Sequence, residues 1–512
     1  MTDAIDAIRA GYTFDQPSIE LGALVDGGTP VPDARIRMSL SMLNRHGLVA
    51  GATGTGKTRT LQLMAEQVSR AGVPVFAADI KGDLSGLAVP GEASPKLLER
   101  TSAIGQDFTP AACPVEFYAL GGEGTGVPLR ATVSQFGPLL LGKVLGLNQT
   151  QESSLALVFH YADVNNLLML DLKDLMELLK FLTSEEGKGE LADIGGLSKA
   201  TVGVIQREVT ALAAQGGDAF FGEPEFDTAD LLHVTPDGQG VISLLELPNL
   251  QDRPALFSTF LMWLLADLYQ DLPEVGDLDR PKLVFFFDEA HLLFDGASKA
   301  FTDSIEQTVR LIRSKGVGVF FVTQSPKDVP EDVLAQLGSR VQHQLRAHTP
   351  NDAKALRAVV NTYPRTDYDL AERLQQLGIG EAIVTVLNPD GAPTPVAWTR
   401  MRAPQASMDP LDAGAMASGV AASSMQAKYG TAIDRESAYE VLNARLQAGA
   451  QAERPTPPPA VPRPSARTSS PRPPRREKSF FEQLTENTMV RQMARSAARE
   501  ITRSIFGTGR RR

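Results

Sequence analysis

A glycine-rich stretch of eight residues carries the strongest chemical signal in the sequence. It reads GATGTGKT, which fits the spacing G-x-x-x-x-G-K-[ST]. Glycines at this spacing let backbone N–H groups wrap a phosphate chain, and the helix that follows adds its own N-terminal amides. The expected phosphate-binding residues are Gly51, Ala52, Thr53, Gly54, Thr55, Gly56, Lys57 and Thr58. Lys57 would neutralise the β- and γ-phosphates, and the Thr58 hydroxyl would bind Mg²⁺.

Two adjacent acids end an apolar run at residues 283–289, LVFFFDE. Asp288 would hold Mg²⁺ through water, and Glu289 would orient and activate the attacking water. The run alone is weak evidence, because many buried strands end in an acid. Together with the glycine-rich loop it predicts a nucleotide hydrolase that supplies its own base.

A polar pair ends a second apolar run, VFFVTQ, at residues 319–324. We expect Gln324 to lie between the other two strand ends, where its amide could sense the γ-phosphate. The alternative is an ordinary amide at a strand-to-loop junction.

Arginines 310 and 313 come just before this run, in TVRLIRSKGVGV. An arginine on a subunit surface can reach a neighbour's γ-phosphate and stabilise the transition state, and Arg313 is one candidate for this role. The alternative is a solvated helix face. Arg340 and Arg346 are weaker candidates.

The charged cluster DIKGD contains Asp79, Lys81 and Asp83 and follows another apolar run. At the carboxyl edge of a parallel sheet it could contact nucleotide, a neighbouring subunit or a polymer. It could equally be a capped turn. The six histidines and the single cysteine show no metal-ligand spacing.

The elements that position these motifs follow an α/β pattern. A strand at 46–50, a helix at 58–71 and a strand at 73–80 form a β–loop–α–β unit, which indicates a parallel sheet. Further core strands are expected at 282–288, at 317–323 and, as the last one, at 382–387.

The predicted organisation has five parts. Residues 1–45 are a lead-in, residues 46–402 form the core with a mostly helical insertion at about 100–245, residues 403–450 are a helical extension, residues 451–478 are a proline-rich linker and residues 479–512 are a basic amphipathic tail. Nine prolines between residues 455 and 474 favour an extended linker. The tail repeats arginine every four residues from 491 to 503, so it could contact a membrane surface, nucleic acid or another subunit.

Charge is divided unevenly along the chain. The net charge is −11, but residues 451–512 contain 14 basic and 5 acidic residues, so residues 1–450 carry −20. An acidic body argues against a broadly basic DNA-binding face, although a basic strip inside a ring channel remains compatible with it. A single cysteine excludes an intrachain disulfide and fits the cytoplasm. No apolar run approaches the ~20 residues of a transmembrane segment, and no signal peptide is expected.

The chain resembles the HerA/FtsK superfamily of ring-forming motors over about residues 46–390. The resemblance rests, in order, on GLVAGATGTGKT, VFAADIKGD, VFFFDEAH and GVGVFFVTQSP. The stretches SQFGPLLLGKVLGLNQTQ and IGGLSKATVGVIQRE resemble a bacterial HerA-like branch, the YjgR-type proteins.

The resemblance implies a RecA-like core that binds ATP and Mg²⁺, usually in a hexamer with ATP between subunits. Lys57, Thr58, Asp288, Glu289 and Gln324 match the family's nucleotide-site positions. Arg313 matches the position of the arginine that acts on a neighbouring subunit. The expected function is an ATP-hydrolysing motor of the bacterial cytoplasm that acts on double-stranded DNA as a translocase or helicase-like protein. The alternatives are an ATPase acting on another polymer and a nucleotide-dependent scaffold or switch.

Overall fold

One large sheet organises the chain. A computed structural model describes residues 2–191, 195–247, 254–276, 278–294 and 299–452. Within these ranges twelve strands form the sheet in the order β2-β1-β12-β11-β10-β3-β9-β8-β4-β7-β5-β6. The strands are β1 Ser18–Asp26, β2 Thr29–Ser39, β3 Gly47–Ala50, β4 Val75–Asp79, β5 Val115–Leu120, β6 Val127–Leu129, β7 Ile242–Glu246, β8 Leu283–Phe287, β9 Val317–Thr323, β10 Ser339–Gln342, β11 Glu381–Thr385 and β12 Ala397–Met401.

The helices cover both faces of this sheet. They are α1 Thr2–Gly11, α2 Lys57–Arg70, α3 Pro95–Ala103, α4 Val133–Val144, α5 Gln149–Val164, α6 Leu172–Leu182, α7 Lys199–Leu212, α8 Asp218–Phe220, α9 Pro254–Asp271, α10 His291–Phe294, α11 Lys299–Ile312, α12 Glu331–Leu334, α13 Pro350–Val360, α14 Leu370–Gln376, α15 Ala413–Ala422, α16 Ser424–Tyr429 and α17 Ala438–Ala452.

The parallel part of the sheet runs from β10 to β6. All neighbours from β10 through β3, β9, β8, β4, β7 and β5 to β6 are parallel, so their carboxyl ends meet at one edge. This arrangement confirms the predicted α/β core. Strand β9 lies between β3 and β8, so the residues that follow these three strands are neighbours at that edge.

Successive side chains of the central strands point to opposite faces of the sheet, so an apolar core lies on each face. Val284 and Phe286 of β8 face the helix α2 side, in one cluster with Leu61 and Met64. Phe285 and Phe287, one residue out of phase, join the opposite cluster, which includes residues of α9 and α11. Burying a side chain of this size contributes about 1.5–3 kcal/mol relative to exposure. The two clusters hold the strand ends rigidly in register.

The first 45 residues are more than a lead-in to the sheet. Strands β1 and β2 pair antiparallel with each other, and β1 pairs antiparallel with β12. The strand predicted at 382–387 is present as β11, but it is not the last core strand, because β12 follows β11 and joins it to β1. These four strands extend the parallel sheet with an antiparallel edge.

The helical insertion is shorter than the sequence suggested. Strands β5 and β6 lie inside the range 100–245, and both belong to the sheet, as does β7 at its end. Helices α4 to α8 fill the range between β6 and β7. The insertion was overestimated because β6 has only three residues, which is too short for a clear alternating pattern.

The chain continues beyond the sheet into three helices. Helices α15, α16 and α17 fall in the range predicted as a helical extension, and α17 packs against α6. Residues 451 and 452, predicted as the start of the linker, belong to α17, whereas the rest of the proline-rich linker and the basic tail lie outside the described residues. Of the helices that the structure describes, none combines the length and the hydropathy required to cross a membrane.

Candidate active site

The glycine-rich loop connects β3 to α2 at the carboxyl edge of the sheet. Its start is fixed by two backbone hydrogen bonds, from Gly51 N to Thr323 O at 3.2 Å and from Ala52 N to Gln344 O at 2.8 Å. Gly51 also lies against His343, since a Cβ at position 51 would come within 2.5 Å of the His343 Cβ. The loop is therefore preorganised by the strands on both sides of β3.

Lys57 begins α2 and lies under the loop. Its Nζ donates a hydrogen bond to Ala52 O at 3.2 Å, and the residue is buried. Burial lowers its pKa. Gly56, just before the helix, has a φ of 117°, a backbone conformation that favours glycine. Thr58 follows at the second helical position and is half-buried.

Asp288 and Glu289 follow β8 at the same edge. Because β9 separates β8 from β3, Gln324, which follows β9, lies between the acids and the loop. Its side-chain amide is 3.4 Å from Glu289 Oε2, and its Oε1 is 3.5 Å from Thr53 Oγ1. The structure thus brings Thr53, Gln324 and Glu289 together in one row.

Asp288 is a deeply buried carboxylate, with 2% of its surface exposed. Its Oδ1 accepts a hydrogen bond from Glu289 N at 2.9 Å, whereas Oδ2 is buried without a partner among the described residues. Burial, together with the charge of Glu289, raises the pKa of Asp288 to about 7. A cation would remove both the electrostatic cost and the missing contact, so Asp288 fits a metal ligand.

The donor set suits Mg²⁺ in particular. A magnesium ion in a nucleotide site takes one or two protein oxygens and completes its shell with phosphates and water. Among the described residues, no group of three or more His, Cys, Asp or Glu side chains could hold a metal ion without such help.

Glu289 adopts an unusual backbone conformation with a φ of 46°. Left-handed backbone is costly for a residue other than glycine and occurs often at functional sites. Its Oε1 forms an ion pair with Lys81, and His291 Nδ1 lies 3.2 Å from Oε2. Burial favours a higher pKa for Glu289, but the hydrogen bond and charge of Lys81 help to outweigh it, so the pKa is lowered. Glu289 is accordingly a carboxylate near neutral pH.

The DIKGD cluster divides into two roles. The Asp79 carboxylate accepts hydrogen bonds from the backbone of Gly82 and Leu84, both at 2.7 Å, and of Asp83 at 3.2 Å. The sequence left two alternatives for this cluster, a capped turn and a binding contact. Asp79 forms the capped turn. Lys81, at the tip of the turn, contacts Glu289 instead.

Arg313 lies far from these groups. It is exposed in a turn that precedes β9, whereas the site lies beyond the other end of that strand. The seven residues of β9 span about 20 Å at ~3.3 Å per residue. Arg310 is also exposed on α11. Neither arginine reaches the site of its own subunit.

The structure brings two further residues next to the loop: His343, which the sequence did not single out, and Arg346, which was only a weaker candidate for acting on a neighbouring subunit. His343 is fully buried beside the loop, with Nε2 2.9 Å from Thr60 Oγ1 and Nδ1 2.8 Å from Glu381 O. Arg346 Nη2 lies 3.5 Å from Thr53 O, so this arginine is a neighbour of its own loop. Both follow the short strand β10, which lacks a recognisable pattern of its own.

A cavity of about 590 Å³ opens beside Glu289. Its lining consists of His291, Phe294, Gln324, Ser325, Lys327 and Asp328. The cavity shares Gln324 and His291 with the surroundings of Glu289, so a molecule bound there would contact two residues that lie within 3.4 Å of that carboxylate.

Comparison with known proteins shows the family to which this sequence belongs. Residues 27–512 match the family described as Helicase HerA-like C-terminal. The DNA double-strand break repair helicase HerA of Sulfurisphaera tokodaii is 25% identical over 377 residues, which cover 72% of this chain and 67% of that protein. The protein of the same name from Saccharolobus solfataricus is 23% identical over 388 residues, covering 74% and 68%.

A solved structure shows the same fold. The bacterial conjugative coupling protein TrwBdeltaN70 superimposes with a TM-score of 0.50 at 14% identity, covering 79% of this chain and 93% of that chain. The assignment to a bacterial branch stays a prediction. The loop, the fold and the match over most of the sequence lead to one conclusion. The chain is a P-loop ATPase with a RecA-like core, and it belongs to the helicase HerA-like C-terminal family.

Proposed function

We propose that the chain hydrolyses ATP to drive movement along double-stranded DNA, as a ring of six subunits. One observation carries the proposal: Glu289, Asp288 and Gln324 lie at the strand ends next to the loop that contains Lys57. A carboxylate beside a phosphate-binding lysine suits water activation, which a simple nucleotide switch does not need.

Each residue of the site has a proposed role in this reaction. Residues 51–58 wrap the phosphates, and Lys57 neutralises the β- and γ-phosphates. Thr58 and Asp288 hold Mg²⁺, which would neutralise charge on the phosphates. Related coupling proteins have been solved with ADP and Mg²⁺ and with an ATP analogue, which supports the use of these ligands in this fold.

The chemical step is an in-line displacement. The oxygen of a water forms a bond to the γ-phosphorus while the bond from that phosphorus to the β,γ-bridging oxygen breaks, so ADP leaves with the electron pair. Glu289 accepts the proton of the water, a role that suits its ionised carboxylate. Gln324 contacts Glu289 and Thr53 and would report the presence of the γ-phosphate.

Support for DNA as the polymer comes from the relatives. Two of them are named DNA double-strand break repair helicases. The net charge of −20 over residues 1–450 works against contact through the outer surface and fits contact inside a ring. A cytoplasmic location remains part of the proposal.

The rate of ATP hydrolysis with and without duplex DNA tests this function. We expect duplex DNA to raise the rate several-fold at about 50 mM salt, with the stimulation declining at higher salt because phosphate contacts release counterions. The Glu289→Gln protein is the control for contaminating ATPases. A rate of ATP hydrolysis that duplex DNA does not change at any salt concentration would favour a different polymer.

The C-terminal tail is proposed to be a tethered interaction element outside the motor. This proposal rests on composition, since a segment rich in proline precedes a segment rich in arginine. Deletion of residues 455–512 should preserve basal hydrolysis and remove one association, either a salt-sensitive one with DNA or anionic vesicles or a salt-insensitive one with another subunit. Loss of cooperative unfolding after the deletion would contradict a separate tail.

A further inference from the structure

Lys81 reaches the site from a turn with a defined geometry. The turn follows β4, which pairs with β8 in parallel, and Ala78 is aligned with Phe287. Position 81 therefore lies beside the residues that follow β8. The Asp79 carboxylate accepts three backbone hydrogen bonds from the same turn and fixes its shape. The lysine is thus presented to Glu289 by a rigid support.

The contact between Lys81 and Glu289 joins an accessible group to a buried one. The Lys81 side chain is 42% exposed, whereas that of Glu289 is 5% exposed. Lys81 pairs with Oε1, and Oε2 faces the Gln324 amide at 3.4 Å. Each oxygen of the proposed base therefore already faces a donor, and Lys81 competes with a water for the lone pairs of Oε1.

Lys81 is also an electrostatic neighbour of the phosphate site. Its charge acts on both Lys57 and Asp288. Lysine places a compact charge on a flexible four-carbon chain, so Nζ can change partners while the turn stays fixed. The terminal phosphate of ATP would lie between Lys57 and Glu289, within the reach of such a movement, and it carries more negative charge than a single carboxylate.

We propose that Lys81 is a second phosphate-binding lysine, which leaves Glu289 for the terminal phosphate of ATP and thereby frees the base. ADP lacks that phosphate and leaves the pair intact. The inference rests on the proposed ATPase function and adds a specific consequence to it: Lys81 distinguishes ATP from ADP.

Binding of a non-hydrolysable ATP analogue and of ADP, both with Mg²⁺, tests the exchange in the full-length protein. We expect Lys81→Met to weaken binding of the analogue about tenfold and to change ADP binding less than twofold. Lys81→Arg should restore most of the affinity, because it retains the charge. Lys199→Met removes an exposed lysine at the start of α7, away from the site, and should affect neither ligand.

A double-mutant cycle tests the competition between the two partners. Glu289→Gln removes the carboxylate that holds Lys81, so it should tighten binding of the analogue several-fold. This gain should disappear when Lys81→Met is added.

Two results would overturn the exchange. Equal weakening of both ligands by Lys81→Met and by Lys81→Arg would assign Lys81 to the shape of the turn alone. An unchanged affinity for the analogue would remove it from the site, provided that thermal unfolding shows a folded protein. Failure of the unmodified protein to bind either nucleotide would instead contradict the proposed ATPase function.

Discussion

At the scale of single residues, Glu289 combines three demanding features. It is nearly buried, it has left-handed backbone and it is held between Lys81 and Gln324. Such strain persists only where the surrounding structure enforces it, here through strands β8 and β9 and the turn after β4. The combination supports a catalytic role better than the position of the residue in the sequence alone.

Substitution of Glu289 should separate nucleotide binding from hydrolysis. Glu289→Gln retains size and loses the proton acceptor, so we expect ATP binding to persist and kcat to fall by about 10²–10⁴-fold. Lys57→Ala should abolish ATP binding, because it removes the buried charge beneath the loop. Both effects are measured by isothermal calorimetry and by phosphate release, with the exposed Glu331→Gln as the control. Normal turnover by Glu289→Gln would refute its assignment as the base.

Glu246 is a second unusual carboxylate, at the end of β7. It is 4% exposed, and its Oε1 is buried without a partner among the described residues. Burial, with the charges of Asp79 and Asp83, raises its pKa to about 8. The folded protein therefore keeps a proton on Glu246 that the unfolded chain releases above about pH 4.5.

The sign of the resulting pH dependence follows from that proton. Between about pH 4.5 and 8 the folded state binds the extra proton, so Glu246 lowers the free energy of unfolding as the pH rises through this window. Glu246→Gln should make the slope less negative, by at most about 1.4 kcal/mol per pH unit. Urea unfolding at pH 5, 7 and 9 measures the slope of the unfolding free energy against pH. Substitution of the exposed Glu274 by Gln is the control. An unchanged slope would show that Glu246 is ionised in the folded protein.

At the scale of elements, the N-terminal hairpin is part of the sheet. Gly22 of β1 lies so close to β12 that a Cβ there would come within 2.2 Å of the Arg400 carbonyl oxygen. Gly22→Ala should therefore separate the two strands and cost about 1–3 kcal/mol of stability. Gly189→Ala is the control, since a Cβ at that position meets nothing within 4 Å. Equal unfolding midpoints for the two variants would show that the β1–β12 contact contributes little.

The central strands were predictable because their chemistry is local. Strands β4, β8 and β9 are apolar runs that end in polar residues, and the loop after β3 has a nearly unique spacing. The position of Gln324 between the other two strand ends followed from this pattern.

Other elements depend on partners that are distant in the sequence. Strand β10 has four residues and β6 has three, so neither carries a period of its own. Strand β1 alternates only at its start, where half-buried Glu20 lies between buried Ile19 and Leu21, and residues 21–25 are all buried, so its pattern is weak in the sequence. The pairing of Lys81 with Glu289 joins positions 208 residues apart and needed the strand order.

At the scale of the whole molecule, the position of Arg313 bears on assembly. It is exposed at the opposite edge of the sheet from the site of its own subunit, so any role in hydrolysis would have to be at the site of a neighbouring subunit. The proposed ring places each site between two subunits.

Substitution of Arg313 tests the shared site. Arg313→Ala should leave ATP binding unchanged and reduce kcat by about 10³–10⁵-fold, as expected for an arginine that stabilises the transition state. Mixing this protein with Lys57→Ala protein should recover part of the activity. The Lys57→Ala subunits supply Arg313 to sites of Arg313→Ala subunits, which retain Lys57. Arg310→Ala serves as the comparison for a neighbouring exposed arginine. Full activity of Arg313→Ala, or of a strictly monomeric protein, would contradict the ring.

The central claim is that ATP hydrolysis moves the protein along duplex DNA. Displacement of a labelled third strand from a DNA triplex measures this movement directly, without requiring the duplex to be unwound. We predict displacement by the unmodified protein with ATP and Mg²⁺, none with ADP, and none by Glu289→Gln. A protein that hydrolyses ATP at its full DNA-stimulated rate but leaves the triplex intact would contradict the claim.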